Sequence, residues 1–416
     1  MFNSLKTIYW KFLNYFTSPQ IALFLGEPFF RLMGLRKREK MTSLSDLRHI
    51  LVVRLDEIGD VVMTSPFLRE LRQNAKNVWI TLIVKPEVFN LVELCPHVNE
   101  VLIYDWNTHG RYQQLIRHKR AIHLASKHLW DKKFDLSIVP RWDRDYYNAS
   151  FVSYFSGAVN RIAYSENINE DKKIYNKNFD LLFNHVLNDN NQQHEVLYSL
   201  NIIKHLNGTI KEDHLEAWFS TEDESYAKEL LKRYHRNDAG DFLFIAIAPG
   251  SRSQRRQWPT DNYIAIARWL IDYYSSFVVL LGGSDEKPIG KQFEDNIRHH
   301  MINLIGQTTL RQTAAIINEC HLFIGNDGGP MHLAAAVGTS VIEICCHPQS
   351  GSPKHRNSPR RFGPWKVQST ILQPEYAVEP CKDSCLSTEA HCIKSISTAQ
   401  VIKAIQKQLS DQCVQN

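Results

Sequence analysis

Residues suited to chemistry cluster at four points, each directly after a short run of apolar, largely β-branched residues. The first is Asp56-Glu57-Ile58-Gly59-Asp60, followed by an apolar-periodic stretch from Val61 to about Leu71. Asp60 at the start of that predicted helix has two compatible readings. It is an N-cap accepting a backbone N–H, or a general base. Gly59 permits a tight turn, and three carboxylates within five residues raise one another's proton affinity. The second is the run Pro249 to Pro259, with Ser251, Arg252, Ser253, Arg255 and Arg256. Arginine forks and hydroxyls in such a place suit a phosphate, and Pro259 is placed to open the next helix. A solvated basic loop is the other reading.

The third is Gly325-Asn326-Asp327-Gly328-Gly329-Pro330-Met331-His332-Leu333. This reads as strand, glycine-rich turn and helix start, where unpaired N–H groups and dipole density favour an anion. It matches neither G-x-x-x-x-G-K-[ST] nor G-x-G-x-x-G. The arginine loop and this turn together point to a diphosphate more strongly than either alone. The fourth is Arg141-Trp142-Asp143-Arg144-Asp145. Arg141 and Arg144 suit an anionic acceptor, or else belong to an exposed ion-pair cluster. Asp143-x-Asp145 is formally a divalent-metal motif, but the two arginines offer its carboxylates partners, so a metal-free mechanism is preferred.

Cys381-x3-Cys385-x6-Cys392, with His391, lacks the paired C-x2-C spacing of regular zinc sites. Cys345-Cys346-His347 reads as packing. There is no H-E-x-x-H and no G-x-S-x-G. Eight cysteines in a chain of this size read as reduced thiols rather than a disulfide frame.

The elements that must position these residues form two series. Apolar runs at Ile50–Arg54, Val78–Val84, Val101–Tyr104 and Leu136–Val139 precede a second set at Phe242–Ala248, Phe277–Leu281, Ile302–Ile305, Leu322–Ile324 and Val341–Ile344. They lack clean alternation, as strands buried on both faces do, and alternate with helical stretches. The expectation is two doubly wound α/β domains of Rossmann type facing across a cleft. The polar stretch 184–241 reads as helical and holds the junction. The expected divisions are a basic amphipathic segment over 1–47, an N-terminal Rossmann-like domain over 48–235, a C-terminal Rossmann-like domain over 236–375, and a tail with a helix over 376–416.

With 416 residues, 43% of them hydrophobic, the chain is too long for one core and too apolar to be disordered. No stretch reaches the roughly 20 apolar residues of a spanning helix, and no secretory signal is evident, so a cytoplasmic protein is expected. Residues 1–40 carry seven basic and two acidic side chains, leaving 42 of each sign in the remainder. That argues against a nucleic-acid binder and for a local anchor. Within 1–47, Leu5, Ile8, Tyr9, Phe12 and Phe16 recur at helical spacing, Pro19 and Pro28 interrupt the pattern, and Phe29, Phe30, Leu32, Met33 and Leu35 precede Arg36-Lys37-Arg38. Such a segment suits either an anionic membrane surface or the protein's own body.

Over most of residues 49–345 the chain resembles the lipopolysaccharide heptosyltransferases, glycosyltransferase family 9. The landmarks are Ile50-Leu-Val-Val-Arg-Leu-Asp-Glu-Ile-Gly-Asp60 with Thr64-Ser-Pro66, Ser156-Gly-Ala158 to Arg161-Ile-Ala-Tyr164, His194-Glu195, Ala248-Pro-Gly-Ser251, Arg256-Gln-Trp-Pro259, Leu280-Leu-Gly-Gly283 and Gly325 to Ala336. The cysteine-containing tail around 381–396 also resembles that of some members. The resemblance implies a GT-B fold, no cofactor, and inverting, metal-independent transfer from a nucleotide sugar, usually ADP-heptose, to the anionic glycolipid of the lipopolysaccharide core. It assigns Asp60 the catalytic carboxylate and places Ser251, Arg252 and Arg256 on the donor phosphates. It puts Asp327, Gly328, Gly329, Pro330, Met331 and His332 in the donor loop. Arg256 replaces a frequent lysine, Gly328 replaces a frequent threonine or serine, and residues 1–47 have no counterpart in the simplest members. Another nucleotide sugar, a protein or capsule acceptor, or a non-catalytic sugar-nucleotide binder are the competing readings.

Overall fold

The computed structural model describes residues 17–36, 43–234 and 243–415, the last four by backbone alone. Two six-stranded, wholly parallel sheets carry the chain. The first holds β1 (His49–Val53), β2 (Trp79–Val84), β3 (Glu100–Ile103), β4 (Leu136–Val139), β5 (Asn160–Tyr164) and β6 (His185–Leu187) in the order β3-β2-β1-β4-β5-β6. The second holds β7 (Phe244–Ala248), β8 (Phe277–Leu280), β9 (Met301–Asn303), β10 (Leu322–Asn326), β11 (Ser340–Ile344) and β12 (Ser369–Leu372) in the order β12-β11-β10-β7-β8-β9. Each order reverses once, between β1 and β4 and between β7 and β10, the doubly wound Rossmann arrangement. The central strands β4, β7, β10 and β11 are buried throughout, which is why they read as apolar runs without alternation.

The chain divides into two compact units. One comprises Met1–Asp56, Pro66–Asn191 and Val196–Asp213; the other comprises Glu57–Ser65, Gln192–Glu195 and His214–Asn416. The core of the first gathers Leu51, Val53, Phe134, Phe151 and Tyr154. That of the second gathers Ile245, Ile247, Trp258, Leu322 and Ile342.

Four features depart from the sequence expectations. Strands β5, β6 and β12 had no apolar run to announce them. In β5, Arg161 is a buried strand residue; its guanidinium donates to the Leu182 and Ala158 carbonyls, and burial lowers its pKa to about 10. The helix expected from Val61 to Leu71 is two helices, Ile58–Val62 and Ser65–Asn74. The break falls at Thr64, whose hydroxyl returns to the Asp60 carbonyl, and before Pro66, which has no N–H to continue the ladder.

Pro28 lies inside the helix Pro19–Leu32 rather than ending it. Burial of Phe30 against Tyr154 and Trp130, at ring separations of 5.5 and 6.5 Å, offsets the lost backbone bond. Arg36 is not a free surface cation. It pairs with Glu27, donates to the Ala158 carbonyl and lies 4.7 Å over the Phe30 ring. The same helix exposes Phe24, Leu25, Leu32 and Met33. The expected pattern Leu5 to Phe16, and Lys37 and Arg38, lie outside the described residues. Among the described residues no helix is long and apolar enough to cross a membrane.

Candidate active site

In the second unit the strand order reverses between β7 and β10, and ligands of open α/β sheets bind at such a point. The two loops leaving these strands are the arginine loop and the glycine-rich turn. Asn326, at the end of β10, joins them. Its side-chain oxygen accepts from the Trp258 backbone N–H and the Tyr263 hydroxyl, both at 3.0 Å. Its amide nitrogen donates to the carbonyls of Pro249 (2.8 Å) and Gly250 (3.1 Å). One buried side chain thus fixes both ends of the segment that carries Ser251 to Arg256.

Asp327 follows. Its carboxylate accepts from Arg256 at 3.2 Å, with Asp327 buried and Arg256 partly open. The Asp327 charge, opposed by burial, holds the Arg256 pKa above its ordinary value. Beneath them Glu343 on β11 is fully buried, and burial together with the Asp327 charge pushes its carboxyl well above the usual range. Burial thus disfavours a second negative charge beside Asp327. Gly328 caps the helix Gly329–Ala336 with extended backbone (φ −179°, ψ 179°), a conformation open to any residue.

Asp60 belongs to the same unit. The residue at the N-cap is Glu57, not Asp60. Asp60 is the third helical residue, and its carboxylate accepts the Glu57 backbone N–H at 3.3 Å. Cations engage two of the three neighbouring carboxylates. Asp56 takes Arg54 (3.2 Å) and Arg141 (2.6 Å), and Glu57 takes Arg252 (2.6 Å).

The helix bearing Asp60 packs on the glycine-turn helix through two glycines. A Cβ on Gly59 would lie 2.4 Å from the His332 ring, and one on Gly329 would lie 2.9 Å from Ile58. This approach brings Asp60 and Asp327 into the electrostatic surroundings of the buried His332. Burial and the Arg256 charge lower the His332 pKa against the pull of both carboxylates, so the imidazole is neutral at pH 7.

One unit therefore assembles a carboxylate, two arginines and a proline-opened helix start. Ser251 is half-buried at the head of the arginine loop. Met331 is wholly buried, so its side chain serves packing. Pro259 sits one position before the first helical residue, Thr260.

Arg141, Asp143, Arg144 and Asp145 lie in the other unit. Arg141 bonds Asp56 and the Arg144 carbonyl. Arg144 stacks on Tyr146 (4.1 Å) and Tyr175 (3.8 Å). Asp145 accepts from the backbone of Tyr147, Ala149 and Ser150, and so opens the helix Ala149–Phe155. Asp143 accepts from the Arg144 backbone and the Asn169 amide.

Asn326 and Glu343 were not singled out from sequence. Nor was Arg361, whose guanidinium is buried against Glu195. His194 bonds the Gly363 carbonyl at 3.0 Å and stacks on Trp365 at 4.4 Å, and burial lowers its pKa to about 3. His194-Glu195 stood out only through resemblance, because Arg361 is too distant in sequence to show the pairing. In the tail, ligand atoms of Cys381, Cys385, His391 and Cys392 all lie within 4.8 Å of one another. The seven described cysteines, these three included, are buried and in no disulfide.

A model of the family described as "Glycosyltransferase family 9 (heptosyltransferase)" matches residues 124–391, more than half of the chain. Lipooligosaccharide heptosyltransferase 2 of Haemophilus ducreyi is 24% identical over 69% of this chain and 80% of its own length. That of Haemophilus influenzae is 29% identical over 30% of this chain, a match spanning 38% of the relative. Among solved structures, the family 9 glycosyl transferase of Veillonella parvula superposes with a TM-score of 0.72 at 20% identity, covering 90% of this chain and all of the other. The E. coli ADP-heptose LPS heptosyltransferase II superposes with 0.64 at 19%, covering 88% and 99%. The chain shares the GT-B fold of these structures. By the match of that family model over more than half of its length, this chain belongs to glycosyltransferase family 9, the heptosyltransferase family, and is a glycosyltransferase.

Proposed function

We propose that the chain moves a heptose from ADP-heptose to an acceptor sugar of the lipopolysaccharide core, with inversion and without a metal in the chemistry. The observation that carries this reading is the packing of Gly59 on His332, which sets Asp60 into the unit that holds Arg256 and Asp327. Asp60 accepts the proton of an acceptor hydroxyl as that oxygen bonds to the anomeric carbon. The bond from that carbon to the β-phosphate oxygen breaks on the opposite face, and ADP leaves. Arg252 and Arg256, the Ser251 hydroxyl and the N–H groups at the Gly328–His332 helix start stabilise the charge gathering on the diphosphate. Asp327 orients the Arg256 fork. Arginine and helix-dipole charge take the place a divalent cation fills elsewhere.

The named activities of the relatives support the donor and acceptor classes. The exposed Phe24, Leu25, Leu32 and Met33, beside the exposed Arg31, support seating on an anionic membrane face where a glycolipid acceptor is made.

The test is incubation of purified protein with ADP-heptose and a heptose-deficient core glycolipid, read by mass spectrometry and by the anomeric coupling of the product. One added heptose of inverted configuration is expected, with UDP- and GDP-sugars inactive. Transfer from one of those instead, or hydrolysis alone, contradicts the assignment.

A further inference from the structure

Between β12 and residue 392 the chain runs without a helix or strand, yet Cys381, Cys385 and Cys392 are 5%, 1% and 0% exposed. Irregular segments of this length lie on the surface unless something ties them down. The tie is visible in the side chains. His391 Nδ1 lies 3.4 Å from Cys392 Sγ and 3.7 Å from Cys381 Sγ, and all four ligand atoms fall within 4.8 Å of one another. A tetrahedron with metal–sulfur bonds of about 2.3 Å and metal–nitrogen bonds of about 2.0 Å has edges of roughly 3.5–3.8 Å. The two imidazole–sulfur separations already match that figure, and a separation at the 4.8 Å limit would close by about 1 Å on binding.

We propose that Cys381, Cys385, His391 and Cys392 form a tetrahedral site for one divalent transition metal, zinc or iron(II). Soft thiolates with one imidazole select these ions over magnesium or calcium. The Leu386 backbone N–H donates to Cys381 Sγ at 3.3 Å, a hydrogen bond of the kind that orients a metal-bound thiolate.

The site is structural, and it braces the wall of the donor site. Trp258, which ends the arginine loop, donates its indole N–H to the Ile396 carbonyl just beyond Cys392. Cys346, after β11, lies within electrostatic reach of both Cys385 and Arg256.

The experiment is elemental analysis of the full chain purified without chelator, as wild type and as Cys385→Ser, with Cys320→Ser as control. About one zinc or iron per chain is expected in wild type and control, and less than a tenth of that in Cys385→Ser. Cobalt(II) exchange should give the sulfur-to-metal charge-transfer bands of tetrahedral thiolate ligation. Should Cys385→Ser fail to fold, alkylation of the wild type decides. Three thiols should be protected in the native protein and become reactive on chelation. Neither metal above background, metal retained in a folded Cys385→Ser variant, or a disulfide among the three cysteines would overturn the proposal. These readouts are independent of sugar transfer.

Discussion

Each sheet reverses its strand order once, and each reversal carries an arginine–aspartate pair: Arg141 with Asp56 in the first unit, Arg256 with Asp327 in the second. The pairs have different surroundings. Asp56 is held by a second cation, Arg54, and Arg141 also donates to the Arg144 carbonyl; its side chain is 14% exposed. Nearby, Arg144 stacks on Tyr146 and Tyr175, and Asp145 accepts from the backbone at the start of the helix Ala149–Phe155. Asp327 is followed by Gly328, Gly329 and Pro330, which leave the backbone open, and the Arg256 side chain is 30% exposed. Charge at a switch point therefore does not by itself make a site. The site needs a cation with unspent donors and a neighbouring backbone that an anion can reach.

The comparison breaks most readily at the two arginines. Arg256→Ala should raise the donor KM roughly 10- to 100-fold, the worth of one or two charged hydrogen bonds, and should also lower the unfolding midpoint, because the buried Asp327 loses its cation. Arg141→Ala should spare the donor. It should cost about 1–3 kcal/mol of stability, limited because Asp56 keeps Arg54, and leave the donor KM within about threefold. Kinetics and chemical denaturation of the two variants check both; a donor defect in Arg141→Ala would remove the contrast.

Gly59→Ala puts a methyl group where the His332 ring stands. A loss of about 1–3 kcal/mol is expected from forced overpacking, together with slower transfer as Asp60 shifts. Thermal melting and turnover of that one variant measure both effects.

Acid sharpens the comparison differently, since each unit buries a neutral histidine. Burial lowers His118 in the first to about 4 and His194 in the second to about 3. Both stay neutral in the fold while the unfolded chain takes up protons below pH 6.5. Stability is therefore full above pH 6.5 and falls as pH drops toward 4 and 3. At pH 5 each costs about 2 kcal/mol. Urea unfolding at pH 7.5 and pH 5 should show the loss, and His194→Asn should reduce it in the second unit.

The smallest effect is expected at Gly328. Its backbone is extended and a Cβ would meet nothing closer than 3.9 Å, so Gly328→Ser should fold as the wild type does. The added hydroxyl should leave donor KM equal or lower, within about threefold; a higher KM would mean that glycine itself is required there.

Much of this was legible in the sequence, and the omissions have physical causes. Strands buried on both faces announce themselves by apolar runs, as β1, β7 and β10 do. The edge strands β6 and β12 are three and four residues long and half-buried, so His185 and Ser369 sit where a core strand would have valine. In β5 the signal is hidden by Arg161, whose charge is satisfied by the backbone carbonyls of Leu182 and Ala158. The glycine turn and arginine loop showed through composition. Asn326 did not, because its work is four bonds to residues about seventy positions away. The break at Thr64 was masked by apolar periodicity that continues across it. The tail cysteines lacked a familiar spacing, yet the fold brings their sulfurs together.

In the proposed mechanism Asp60 takes the acceptor proton while other residues of its unit hold the donor. Asp60→Asn keeps the shape and removes the base. Transfer from ADP-heptose, followed by mass spectrometry, should fall by roughly 100- to 10,000-fold, while donor affinity by calorimetry stays within about threefold. Turnover near wild type in this variant would contradict the account.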